Sequence, residues 1–160
     1  MAAEDQRLHG PSDGVFARRV TLQQWFDIGR LRAAHTDRLR EIVAEVGWPG
    51  RMLVGEEAAE HALLIAQHAD HQLDSQREFL DALVRAVDAG DAPARHAAFL
   101  TDRVSVNEGR PQTYGTQVAA MEDGEAVPWP IEKPERVDER RMRIGLPPLS
   151  EYLARWHGMT

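Results

Sequence analysis

Apolar residues that recur at spacings of three, four and seven govern the first two thirds of this chain, and that period commits it to helices. Leu22, Trp25, Phe26, Leu39, Ile42, Val43 and Val46 open the series, and such spacing lines one face of an α-helix. Thr21 followed by Gln24 matches a capping box at its start. Gly29 can divide the stretch into two helices. "GWPG" at 47–50 ends it, because Gly takes the left-handed cap and Pro prevents continuation.

The same reasoning predicts a second helix from about Gly55 through "EEAAEHALLIAQHA". A third is announced by Ser75 and Glu78, another capping-box pair, and carries Phe79, Leu80, Leu83, Val84 and Val87. A fourth follows Pro93 and runs to about Asn107. After the polar loop "EGRPQTYGTQV" (108–118), Asp123–Gly124 marks a short hairpin. "PWPIEKP" (128–134) is an extended crossing, and helices over 135–144 and 150–156 are split by "GLPP". Residues 1–14 read as a mobile lead-in, and 15–160 as a single helical domain. The expected fold is mainly α, a compact multi-helix domain with a small irregular or β-hairpin excursion near residues 110–131.

Composition narrows the chemistry. With no cysteine among 160 residues, disulfides, thiolate metal sites, iron–sulfur clusters and thiol nucleophiles are excluded. Lys133 is the only lysine, which excludes most Schiff-base chemistry. The net charge of −7 argues against nucleic acid as main partner. The basic run "ERRMR" (139–143) reads as a solvated helix face. The longest apolar run, Ala62 to Ala66, is far too short to span a membrane. No secretory h-region follows Met1, so a cytoplasmic protein is expected. No phosphate-cradling Gly loop, dinucleotide fingerprint or nucleophile elbow occurs, and no redox cofactor or other cofactor is implied. The sequence does not fix an oligomeric state.

The densest run of titratable side chains is "GEEAAEHALLIAQHADHQ". At about 100° per residue, Glu57, His61, Leu64, His68 and His71 share one face if the helix continues to 71. His61 and His68 lie about 10 Å apart along the axis, too far to hold one ion. His68 with His71 can share one, but no further ligands are identifiable and the spacing lacks the H-E-x-x-H signature. His61 and His71 read as surface residues. His68, amid "LLIAQ", is expected to be partly buried, with Gln67, Asp70 or a loop carboxylate as its partner. On the fourth helix Asp102 falls on a mainly apolar face with Ala98, Phe99 and Val106. It either pins the helix through a bridge to an Arg or orients His68 or Tyr114.

Several of these motifs together resemble an uncharacterised bacterial family of unknown function. They are Gly47–Pro49, Ala66–Asp70, Leu100–Val104, Gln112–Gln117, Pro130–Pro134 and Arg140–Leu153, in that order, across residues 35–155. The resemblance implies no reaction. It singles out His68, Asp70, Asp102, Arg103, Gln112, Tyr114 and Gln117, and leaves His61, His71 and His96 as surface residues.

The expectation drawn from the residues is a small soluble enzyme acting on a polar small molecule by acid–base chemistry: hydrolysis, elimination or cyclisation. His68 would be general base, Asp102 or Asp70 its orienter, and Tyr114 an acid or oxyanion donor. Gln112, Gln117, Thr116 and Arg103 would position the substrate, and Gly115 would allow close backbone approach. A loop whose glutamines merely tie it to helix ends is the plainer reading. Two alternatives stand beside the enzyme. One is a non-catalytic ligand- or protein-binding module, to which Trp25, Trp48, Trp129 and Trp156 could contribute; the other is a metal-dependent hydrolase using His68 and His71.

Overall fold

A computed structural model describes residues 21–156, without the side chains of Leu22 and Gln24. The expected mobile lead-in at 1–14 and the Gln24 half of the first capping box therefore lie outside the described residues. The described residues fall into two compact units, 21–100 and 101–156.

The first unit is helical. Helix α1 spans Leu22–Val46 without a break. Gly29 does not divide it, since a single exposed Gly costs a helix only about 1 kcal/mol. Gly47 closes the helix at φ +79°. Trp48 and Pro49 are buried beyond it, and a short helix that the apolar period does not announce, α2, follows over Arg51–Val54. Its N-terminus is capped from afar: Asp91 accepts from the Met52 N–H through Oδ1 at 2.7 Å.

Helix α3 covers Glu56–Gln67 and buries Ala59, Ala62, Leu63 and Ala66. Small residues on that face let it approach α1 closely. Helix α4, Leu73–Asp88, buries Phe79, Ala82, Leu83 and Ala86 at helical spacing. It packs on both α1 and α3. The predicted capping box at Ser75 does not form. Gln72 is the N-cap and Ser75 already lies in the first turn, its hydroxyl donating to Gln72 Oε1. The earlier start puts the fully buried Gln76 one turn into α4. Its amide reaches back to the Ala66 and Gln67 carbonyls at 3.0 and 3.2 Å. Helix C-termini leave carbonyls without partners, and Gln76 supplies two of them here. Helix α5, Ala94–Asn107, begins in this unit.

The second unit takes the last turns of α5, the loop, and a two-stranded antiparallel sheet of β1 (Val118–Glu122) and β2 (Glu125–Pro128). Asp123 and Gly124 join the strands with φ of +51° and +83°, as a two-residue hairpin with right-handed strand twist requires. The crossing after β2 bridges Ile131 to Gln112. A 3-10 turn at Pro134–Arg136 leads into α6, Val137–Arg143. Asp138 then caps α7, Leu149–Ala154, by accepting from the Leu149 N–H at 2.7 Å. The fold is thus mainly α with one small sheet among the described residues, as the periodicity predicts. No described helix is long and apolar enough to cross a membrane.

Candidate functional site

The loop 112–117 is wound around a carboxylate. Asp102 is fully buried. Its Oδ1 accepts from the N–H groups of Thr113 and Tyr114 at 2.7 and 2.9 Å, and its Oδ2 from the N–H and hydroxyl of Thr116, both at 2.9 Å. Successive backbone N–H groups that converge in this way form a nest for anions, and here the chain supplies its own anion. Burial pushes the Asp102 carboxyl above its ordinary value, and the donors from Tyr114, Thr116 and Thr113 oppose that rise. Neither reading made from sequence anticipated this arrangement. The partner of Asp102 is the loop backbone.

The carbonyl side of the loop is held with equal economy. Arg141 Nη1 donates to the Tyr114 carbonyl and its Nε to the Pro147 carbonyl, both at 2.6 Å. Arg140 Nε donates to the Thr113 carbonyl at 2.8 Å, and the Tyr152 hydroxyl to that of Thr116 at 2.9 Å. Arg141 is fully buried, its guanidinium 4.9 Å above the Tyr152 ring, a cation–π arrangement. Burial pulls its pKa down, with Tyr152, Asp138 and Asp102 opposing. This corrects the expectation that "ERRMR" is a solvated face: Arg141 points inward because two backbone carbonyls need donors there.

The loop's own side chains complete the network. Buried Gln112 donates to the Gln117 and Trp129 carbonyls, each at 2.9 Å, and accepts from the Gln117 N–H. Both N–H groups of its amide are thereby used. Gln117 Nε2 donates to the Thr116 hydroxyl, and its Oε1 accepts from the buried Arg103 at 3.3 Å. Gly115 has φ +71°, and a Cβ there would meet Leu149 at 2.7 Å and Ile131 at 3.0 Å. The close approach that Gly115 permits is that of neighbouring side chains. Asp102, Arg103, Gln112, Thr116 and Gln117 are therefore brought together as one network that satisfies the loop. Tyr114 joins it through its backbone, and its side chain is half-buried.

His68 and Asp70 belong to the first unit. His68 is the C-cap of α3 and half-buried, with its N–H on the Leu64 carbonyl at 3.1 Å. Asp70 Oδ1 accepts from Gln76 at 3.3 Å. The helix does not continue to His71, so the expected four-residue polar face is cut short. His71 stands exposed in the turn, and His61 is exposed on α3. Among the described residues no group of three or more His, Asp or Glu side chains is placed to hold a metal ion.

A hollow of ≈ 150 Å³ is lined by His68, Leu64 and Ile65 from the α3 end and by Arg32 and His35 from α1. Sequence reasoning missed Arg32 and His35. A signal existed: with Leu39 and Ile42 they recur at spacings of three, four and three, which sets them along one side of α1, Arg32 half-buried and His35 exposed. His96 is a further correction. It is buried, not a surface residue; burial lowers its pKa, Arg95 adds to the effect and Glu60 opposes it.

No curated protein and no solved structure matches the chain. A family model does, over residues 21–158, which extends the resemblance through the whole of α1. The chain belongs to this family of unknown function, DUF6624.

Proposed function

We propose that the chain is a small cytoplasmic enzyme that acts on a polar small molecule by acid–base chemistry, with His68 as general base. One observation carries the reading: two imidazoles, His68 and His35, line a single hollow together with a guanidinium, Arg32. Imidazole is the side chain suited to giving and taking protons near neutrality. Two of them can supply base and acid across one substrate, while Arg32 fixes an anionic group on it. Such parts serve elimination, cyclisation or hydrolysis. Asp102, Gln112, Thr116, Gln117 and Arg103 act in this reading as positioning residues that give the loop its shape. Asp70 helps fix the turn that presents His68.

The test is incubation with a panel of polar metabolites, followed by mass spectrometry. Consumption of one compound by the wild type, lost at least 100-fold in His68→Gln with a Tm within a few degrees, supports the reading. Equal loss of fold and turnover gives His68 a structural role. The second reading, a non-catalytic binding module, is favoured by a lining in which no Asp or Glu appears among the described residues. Saturable binding without turnover would establish it.

A further inference from the structure

Two hollows meet where the first turn of α5 lies against α3, and both are lined by Glu60, Arg95 and His96. The first, of ≈ 100 Å³, lies against Trp48, Ala59 and Pro93 and is bordered by Glu56, Arg51 and Asp91. The second, of ≈ 270 Å³, has an apolar wall of Leu63, Leu64 and Phe99. Together they enter the lower end of the range of about 300–1,000 Å³ typical of ligand sites. All of these residues lie within the first compact unit.

His96, at the junction of the two hollows, is only 7% exposed, yet its ring makes no hydrogen bond to any other group of the chain. Buried polar groups are almost always hydrogen-bonded, so this ring stands apart. Burial and then the charge of Arg95 lower its pKa, against Glu60. The ring is therefore neutral near neutrality and offers one N–H donor and one bare nitrogen.

The charges beside it are uncommitted. Glu60 and Arg95 are exposed on the same two hollows, and neither side chain forms an ion pair or a hydrogen bond among the described residues. Glu56, one turn before Glu60 on α3, is exposed and unpaired in the same way. Arg51 and Asp91 differ, since they hold the fold: Arg51 donates to the Gly90 carbonyl at 2.9 Å, and Asp91 accepts from the Met52 N–H at 2.7 Å. The positive end of the α5 dipole adds to the charge of Arg95 in that helix's first turn. Opposite charges that border one hollow without pairing leave a gap, and a molecule bearing both charges closes it.

We propose that this groove binds an α-amino acid with an apolar side chain. Its ammonium lies between Glu56 and Glu60 and its carboxylate on Arg95, with His96 hydrogen-bonded to the zwitterionic head. Its side chain lies over Leu63, Leu64 and Phe99. None of the residues that hold the head takes part in the acid–base reading at His68, so the two stand or fall separately.

Calorimetric titration of the full chain with L-leucine, L-alanine, isocaproate and isoamylamine tests it. The last two are leucine without its ammonium and leucine without its carboxylate. Leucine should bind at least tenfold more tightly than either. Each methylene taken out of water is worth roughly fourfold in affinity. Leu64 is 49% exposed, so part of the side chain stays wet, and leucine should exceed alanine by at least tenfold rather than by the full product. Glu60→Gln and Arg95→Gln change exposed side chains that hold nothing in the fold, and each should weaken leucine at least tenfold with Tm unchanged. His96→Gln should do the same, and if it fails to fold the two surface variants carry the test. Isocaproate or isoamylamine binding as tightly as leucine, alanine doing so, unchanged affinity in both surface variants, or no saturable leucine binding would each overturn the inference.

Discussion

Replacing Asp102 by Asn exchanges one carboxylate oxygen for an NH2 group in the same space, and the hydrogen-bond geometry sets the expected cost. Four donors point at the carboxylate: the N–H groups of Thr113, Tyr114 and Thr116 and the Thr116 hydroxyl. An Asn oxygen can keep the first two. Its NH2 then faces the Thr116 N–H, which cannot turn away, and the hydroxyl, which can. Leaving one buried donor unsatisfied costs about 1–3 kcal/mol, and converting two charge-assisted bonds to neutral ones costs about 1 kcal/mol each. The sum is about 4 kcal/mol, which for a chain of this size lowers Tm by about 8–16 °C. That is a large part of a typical stability of about 5–15 kcal/mol.

The pH dependence has a definite sign. Burial raises the folded carboxyl pKa above its ordinary value, so the folded chain holds that proton more tightly than the unfolded chain. The stability lent by Asp102 is then fullest below that value and declines as pH rises through the folded pKa. Asn does not titrate, so the gap between wild type and Asp102→Asn should be wider in acid than at neutral pH. Denaturant titration at two pH values measures the gap, and amide hydrogen exchange at Thr113, Tyr114 and Thr116 locates it. A loss under 1 kcal/mol with unchanged exchange would refute the claim that the carboxylate holds the loop. Intact stability with abolished turnover would instead make Asp102 a catalytic residue.

Gly115→Ala should cost about 2–5 kcal/mol in denaturant titration, since it places a Cβ at φ +71° and drives it against Leu149 and Ile131. Arg141→Gln should destabilise by about 2–4 kcal/mol, because it removes the donors of the Tyr114 and Pro147 carbonyls; unchanged stability would mean that water replaces the clamp. The lowered pKa of His96 makes its contribution present above 6.5 and lost as pH falls through the folded value. His96→Gln should therefore flatten the fall in Tm on the acid side of pH 6.5, and an identical pH profile would contradict it.

The elements that local chemistry encodes were legible in the sequence, and those that tertiary contacts decide were not. α4 and α5 follow from apolar spacing, and the hairpin from Asp123–Gly124, because period and turn type are properties of a few adjacent residues. The end of α3 is different. Nothing local after Gln67 forbids helix, and the chain turns at His68 where Gln76, from the next helix, takes up the freed carbonyls. The extrapolated polar face through His71 failed for that reason. Asp102 reads from the sequence as an acid on an apolar face, but most of its partners are backbone N–H groups, which have no sequence signature. Arg141 looked like one charge in a solvated run for the same reason, since its acceptors are carbonyls.

This bears on how the family's motif residues are read. Buried acids, paired glutamines and glycines are the residues an active site needs to hold a substrate, and equally those a compact loop needs to satisfy itself. In loop 112–117 both oxygens of Asp102 and both amide N–H groups of Gln112 are engaged by the loop's own backbone, its Thr116 hydroxyl and the Trp129 carbonyl, which ties these residues to the shape of the loop. The side chains around the hollow at His68 are placed differently. Arg32 and His35 line that hollow together with His68, with His35 exposed and the other two half-buried. A polar side chain held beside empty space is a better guide to chemistry than one consumed in holding its own fold, and on that ground the search for a substrate belongs at His68 and His35.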